Sequence, residues 1–130
     1  AQVMYRFEKA MYENPDQDLN QLWWVLVEKY QMITMPEGRN MPDWATKIHV
    51  ALYPCYYHNY LLGELLASQF YGYLEANAMA YPSIVGDTSA GDYFKENVFL
   101  PGARYYWNEM IEKATGEKLT AKYYAAQFVD

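Results

Sequence analysis

An apolar residue recurs every three or four positions through Leu61, Leu62, Leu65, Leu66, Phe70, Tyr73 and Leu74. That period places all seven on one face of a helix, and it is incompatible with the two-residue alternation of a half-buried strand. The same period runs through Val3, Met4, Phe7 and Met11 in Ala1–Glu13. It returns in a second helix expected at about Leu19–Ile33, with Leu22, Val25, Leu26 and Tyr30 as its core face. No segment reads as a strand and no repeat unit is visible. The expected fold class is all-α, a multi-helix chain.

Breakers divide the helices. Asn14-Pro15-Asp16 closes the first, and Asp16 or Asp18 can cap the second. Residues 35–42, MPEGRNMP, read as a loop. Pro42-Asp43-Trp44 then opens a helix expected to continue through Lys47 and His49. Pro54 interrupts it, since proline lacks the N–H donor and clashes with the preceding turn. A long helix is expected from about Cys55 to about Met79. Gly63 inside it costs about 1 kcal/mol relative to alanine, which marks it as a point where another segment could approach closely. Residues 81–91 read as a loop, about Asp92–Phe99 as a helix and Pro101-Gly102 as a turn. Tyr105–Ala114 is expected to be helical, ending at Thr115-Gly116 with Gly116 as its C-cap. Thr120 caps a last helix running to about Val129.

At 130 residues the length suits one domain. A net charge of −6 argues against binding to nucleic acid or to an anionic membrane surface, both of which call for Lys and Arg. No apolar run approaches the ~20 residues of a membrane span. Cys55 is the single cysteine, so the chain has no internal disulfide. The first residues, AQVMYRFEKAMY, carry no signal-peptide pattern, lack an initiating methionine and begin inside a helical period; the chain reads as a piece of something longer. His-Glu-x-x-His, Cys-x-x-Cys and a phosphate-cradling glycine loop are all absent. His49 and His58 are nine positions apart, too far for an i, i+4 ligand pair. Cys55 with His58 would supply two ligands where zinc takes three or four.

Tyrosine is the unusual component, at 15 of 130 residues. Five of them fall in residues 47–71, KIHVALYPCYYHNYLLGELLASQFY, together with Lys47, His49 and His58. On a helix, Tyr57 and Tyr60 are i, i+3 neighbours and Tyr56 and Tyr60 are i, i+4 neighbours. Two phenols on one turn form a donor pair that can stabilise an oxyanion or grip a carboxylate. Lys47 and His49 would add charge and hydrogen-bonding reach. The residues alone favour a core face, the commoner use of such a stripe.

Three blocks add to this reading. They are WWVLVEKYQ from Trp23 to Gln31, KIHVALYPCYYHNY from Lys47 to Tyr60, and LPGARYYWNEMIEKATGEKL from Leu100 to Leu119. Together they resemble the C-terminal part of the angiotensin-converting-enzyme family of zinc peptidases (peptidyl dipeptidases). The likeness is greatest to bacterial members, and the third block also resembles the related oligoendopeptidases. The resemblance implies an all-helical fold whose two halves face each other across a deep cleft. It implies a peptide substrate and a zinc ion whose ligands lie N-terminal to this region, on a part of the enzyme that this chain lacks. Lys47 matches a lysine that holds the substrate's C-terminal carboxylate, and His49 a histidine that hydrogen-bonds substrate backbone near the scissile bond. Tyr57 matches a carboxylate partner, and Tyr60 the donor to the oxyanion of the tetrahedral intermediate. Counting from His49 without a gap selects Tyr56 in place of Tyr57. His58-Asn59 stands where chloride-activated animal members carry an arginine between the two tyrosines. The chain is then the substrate-binding and transition-state wall of a cleft, inactive alone. It would present a tyrosine-rich face through which the isolated chain self-associates, and family analogy points to the periplasm or the cell exterior. The alternative is a non-catalytic helical interaction module.

Overall fold

In this computed structural model, residues 1–77 and 83–128 are described. Among them there is no strand, and the all-α expectation holds. The chain forms two compact units, Ala1–Leu61 and Leu62–Asp130.

The first unit is built on two helices. α1 spans Gln2–Glu13 and buries Val3, Met4, Phe7 and Glu8. α2 spans Leu19–Gln31 and is capped by Asp18, whose carboxylate accepts from Gln21 N at 2.9 Å. Of the two candidate caps, Asp18 performs the role. The helix stops at Met32, which turns left-handed with φ 58°. The buried face of α2 is not the one expected. Val25 is exposed, while Trp23 and Val27 are buried with Val3, Met4 and Phe7. Leu22, Leu26 and Tyr30 only flank that cluster. The Trp23 ring meets Phe7 edge-on at 5.4 Å, an arrangement favoured by the aromatic quadrupole. One large ring in the right place therefore sets the rotation of α2.

The chain after α2 is tied back by reciprocal indole bonds. Trp24 Nε1 donates to Asp43 at 3.1 Å, and Trp44 Nε1 donates to Asn20 at 3.0 Å. Arg39 holds Asp43 from the other side. These bonds fix a 3₁₀ turn at Asp43–Thr46. The expected continuous helix through Lys47 and His49 is broken here. Lys47 is extended (φ −82°, ψ 114°), and a single helical turn, α3, follows at Ile48–Ala51.

α4 runs His58–Asn77, starting in the first unit by sequence and ending in the second. It does not begin at Cys55, which is left-handed with φ 58°. The expected end at about Met79 lies outside the described residues. Of its expected apolar face, Phe70 and Leu74 are buried in the second unit, alongside Ser68 and Gln69. The glycine approached closely is Gly72, not Gly63. A Cβ on Gly72 would lie 2.6 Å from the Tyr123 ring, whereas one on Gly63 would meet nothing within 4 Å.

In the second unit, α5 spans Thr88–Phe94, capped by Asp87, and passes into a π turn at Lys95–Phe99. It starts four residues before the expected Asp92 because Asp87 accepts from Ser89 N at 2.9 Å. The expected loop at 81–91 therefore ends at this cap; its first two residues lie outside the described set. A 3₁₀ turn at Gly102–Arg104 leads to α6, Trp107–Thr115. α6 is closed by Gly116 at φ 81°, the left-handed cap read from the sequence. α7 is one turn, Lys122–Ala125; Thr120 Oγ1 accepts from Lys122 N at 3.3 Å, and the expected end at Val129 lies outside the described residues. Buried Gln69 reads the segment after α6. Its amide donates to Thr115 Oγ1 and to the carbonyls of Glu117 and Lys118, and its oxygen accepts from Thr120 N.

Candidate functional site

The residues from Lys47 to Tyr60 form the end of the first unit. Val50 and Tyr57 pack against its core, and this anchors an otherwise exposed segment. After α3 the chain passes Pro54 and turns left-handed at Cys55. Backbone bonds from Asn59 N to Tyr56 O and from Tyr60 N to Tyr57 O then wind it into α4. Tyr56 and Tyr57 sit just before the helix, not on it. The turn nonetheless keeps the three-residue spacing that sets Tyr57 beside Tyr60, with ring centroids 5.0 Å apart.

His49 lies among four tyrosines. Its ring is 4.8 Å from Tyr57 and 5.7 Å from Tyr60, both edge-on. Tyr53 and Tyr56 stand further out, at 6.3 and 6.4 Å. His49 Nε2 is 3.1 Å from the Tyr60 hydroxyl oxygen. Of the residues singled out in the sequence, the fold thus brings together His49, Tyr56, Tyr57 and Tyr60. Tyr57 is half-buried against the core, whereas Tyr56 and Tyr60 are 48% and 50% exposed, so those two phenols are open to a ligand.

The fold does not draw Lys47 into this cluster. Among the described residues it makes no ion pair and no ring contact with the tyrosines. It lines a separate groove of about 370 Å³ together with Trp24, Val27, Gln31, Arg39 and Asp43. Only Ile48 separates it from His49, so their Cα atoms are at most about 7 Å apart. Arg39 is neutralised by Asp43, and the hydrogen bond it donates pulls the Asp43 carboxyl below its ordinary value. Lys47 is therefore the unpaired cation of that groove among the described residues.

Two participants escaped the sequence reading. Tyr53 completes the ring around His49. Glu8, buried on α1, accepts a hydrogen bond from Cys55 N at 2.9 Å, across 47 positions. Glu8 had a visible signal, because it interrupts the apolar stripe of Met4, Phe7 and Met11 with a carboxylate.

The described residues contain no group of three or more His, Cys, Asp or Glu placed to hold a metal ion. Cys55 is free and exposed. What the cluster offers chemically is a set of phenols around one imidazole, two of the phenols exposed.

A family model described as angiotensin-converting enzyme matches residues 3–128. No match is found among curated proteins or among solved structures.

Proposed function

The chain belongs to the angiotensin-converting-enzyme family of peptidases, and we propose that it forms the wall of a peptidase cleft that grips the substrate and stabilises the transition state. The observation that carries this reading is the contact of His49 Nε2 with the Tyr60 hydroxyl, on a phenol half open to solvent.

A phenol can serve an oxyanion only if its own proton is free. That requires His49 to donate Nε2–H to the Tyr60 oxygen, which leaves the Tyr60 O–H pointing outward. The bond from the imidazole also polarises the phenol and makes it a better donor as negative charge grows on the substrate oxygen. A donor of this kind, strongest in the transition state, acts on kcat. With Nε2–H given to Tyr60, Nδ1 is left to accept from a substrate backbone N–H. Lys47 supplies the charge for a C-terminal carboxylate, and the exposed phenol of Tyr56 or the half-buried phenol of Tyr57 supplies its hydrogen-bond partner.

The family is zinc-dependent. The residues described here do not fit a zinc site, so the metal would be held by another part of the enzyme, and no step assigned to these residues passes through it. The chain alone is then inactive. The Ala114-Thr115-Gly116-Glu117 segment supports a place among the bacterial-type members and their oligoendopeptidase relatives. The exposed apolar side chains of Ile48, Leu52 and Tyr53 support self-association of the isolated chain, which light scattering would detect.

The test is peptide hydrolysis by the zinc-loaded enzyme that contains this chain, wild type against Tyr60→Phe. A fall in kcat of about 10²–10³-fold with KM little changed is expected. An unchanged kcat would remove Tyr60 from the transition state and favour the non-catalytic module.

A further inference from the structure

Glu8 is only 3% exposed, yet its neighbours on the same face of α1 are Met4, Phe7 and Met11. A carboxylate in that setting is costly unless it is hydrogen-bonded. Its partner is the backbone N–H of Cys55, at 2.9 Å. Cys55 in turn has φ 58°, a left-handed conformation that non-glycine residues seldom take. The two unusual features meet in one bond. The residues that follow are Tyr56 and Tyr57, and then the first turn of α4 with Tyr60.

From this geometry we infer that Glu8 is a positioning residue for the tyrosine cluster: its buried carboxylate holds Cys55 in the left-handed turn that sets Tyr57 and Tyr60 against His49. A leucine in place of Glu8 would suit the apolar face of α1 but could not hold the turn. Were Cys55 to relax to negative φ, the direction of the chain entering α4 would change. Tyr57 and Tyr60 would then swing away from a ring now 4.8 and 5.7 Å distant. The clamp acts on geometry, whatever the cluster does. Its catalytic consequence rests on the role proposed above for Tyr60.

The test compares Glu8→Gln, whose amide oxygen can accept the same bond, with Glu8→Leu, which has no acceptor. The first readout is the NMR signals of the His49 ring in the 130-residue chain, which are displaced by the ring currents of the surrounding tyrosines. Glu8→Leu is expected to move them toward unperturbed histidine positions, and Glu8→Gln to leave them in place. The second readout is turnover by the zinc-loaded enzyme. There Glu8→Leu is expected to lower kcat by up to about 10²-fold, as a displacement of about 1 Å can, while Glu8→Gln retains most of it. If Glu8→Leu does not fold, Cys55→Gly and Cys55→Val carry the test. Glycine takes positive φ freely and should preserve the His49 signals, whereas β-branched valine should disperse them. A Glu8→Leu chain of lowered melting temperature with His49 signals unmoved would reduce Glu8 to packing and overturn the inference. So would valine and glycine at position 55 behaving alike. Should Tyr60→Phe leave kcat untouched, the peptidase role falls, but the NMR comparison still decides whether the clamp exists.

Discussion

His49 Nε2 lies 3.1 Å from the Tyr60 hydroxyl oxygen, joining α3 to the start of α4 across the Pro54–Cys55 turn. Two groups in such contact act as a unit, and their substitutions do not add. In the zinc-loaded enzyme, His49→Ala and Tyr60→Phe should each lower kcat. The double variant should fall short of the summed loss by about 0.5–3 kcal/mol. Strict additivity in that cycle would mean that His49 touches substrate independently and does not work through the phenol.

Lys47 faces a groove of its own, and this makes a separable prediction. Replacing it with methionine keeps the stem and removes the charge. KM for peptides with a free C-terminal carboxylate should rise by about 10–100-fold, the worth of one charged hydrogen bond. Peptides ending in an amide should be handled equally by both enzymes. Equal loss on both substrates would point to a structural role for Lys47.

What could be read from the sequence follows the range of the interactions involved. α1 and the Gly116 cap are visible because a 3.6-residue period and a left-handed glycine are local signals. The buried face of α2 is not local. Val25 and Trp23 differ by two positions on the helix, and Phe7 on the neighbouring helix decides between them. The break at Lys47 depends on Asp43 bonding Trp24 and Arg39, which no pattern within residues 42–49 reveals. The tyrosine spacing correctly set Tyr57 and Tyr60 side by side. The Glu8 clamp that orients them spans 47 positions and shows in the sequence only as one misplaced carboxylate.

The two glycines of α4 behave oppositely. Gly72→Ala would place a Cβ 2.6 Å from the Tyr123 ring, so either the ring or the helix must shift. A loss of about 1–3 kcal/mol is expected, as for overpacking. Gly63→Ala meets open space and should gain about 0.5–1 kcal/mol from helix propensity alone. Urea unfolding of the two variants separates them, and a Gly72→Ala chain as stable as wild type would mean that Tyr123 moves aside freely.

Gln69 binds four backbone or hydroxyl groups from a fully buried position. Gln69→Leu preserves volume but removes all four bonds; Thr115 Oγ1 and the Glu117 carbonyl keep each other, whereas the Lys118 carbonyl and Thr120 N–H lose this partner, at about 1–3 kcal/mol for each one left unpaired. The second unit should therefore lose far more stability than a surface substitution would cause. Amide exchange at Thr120, whose N–H bonds the Gln69 oxygen, should speed up most. Unchanged protection at Thr120 would show that water replaces the glutamine without penalty.

Tyr93 provides a pH test with a definite sign. Its hydroxyl donates to the Ala114 carbonyl, tying α5 to the end of α6. Burial, aided by the neighbouring Tyr73, pushes its pKa up to about 12. An unfolded tyrosine ionises near 10. Because the native state favours the protonated phenol, the contribution of Tyr93 is whole below about pH 10 and is lost as the pH climbs toward about 12. A phenolate can neither donate to Ala114 nor remain where it was buried. Stability measured by urea unfolding should fall across that interval in wild type. Tyr93→Phe should be less stable at neutral pH but show a shallower alkaline decline, and its absorbance titration at 295 nm should lack the last-ionising phenol. The same alkaline slope in both chains would mean that Tyr93 is solvated in the native state and ionises with the others.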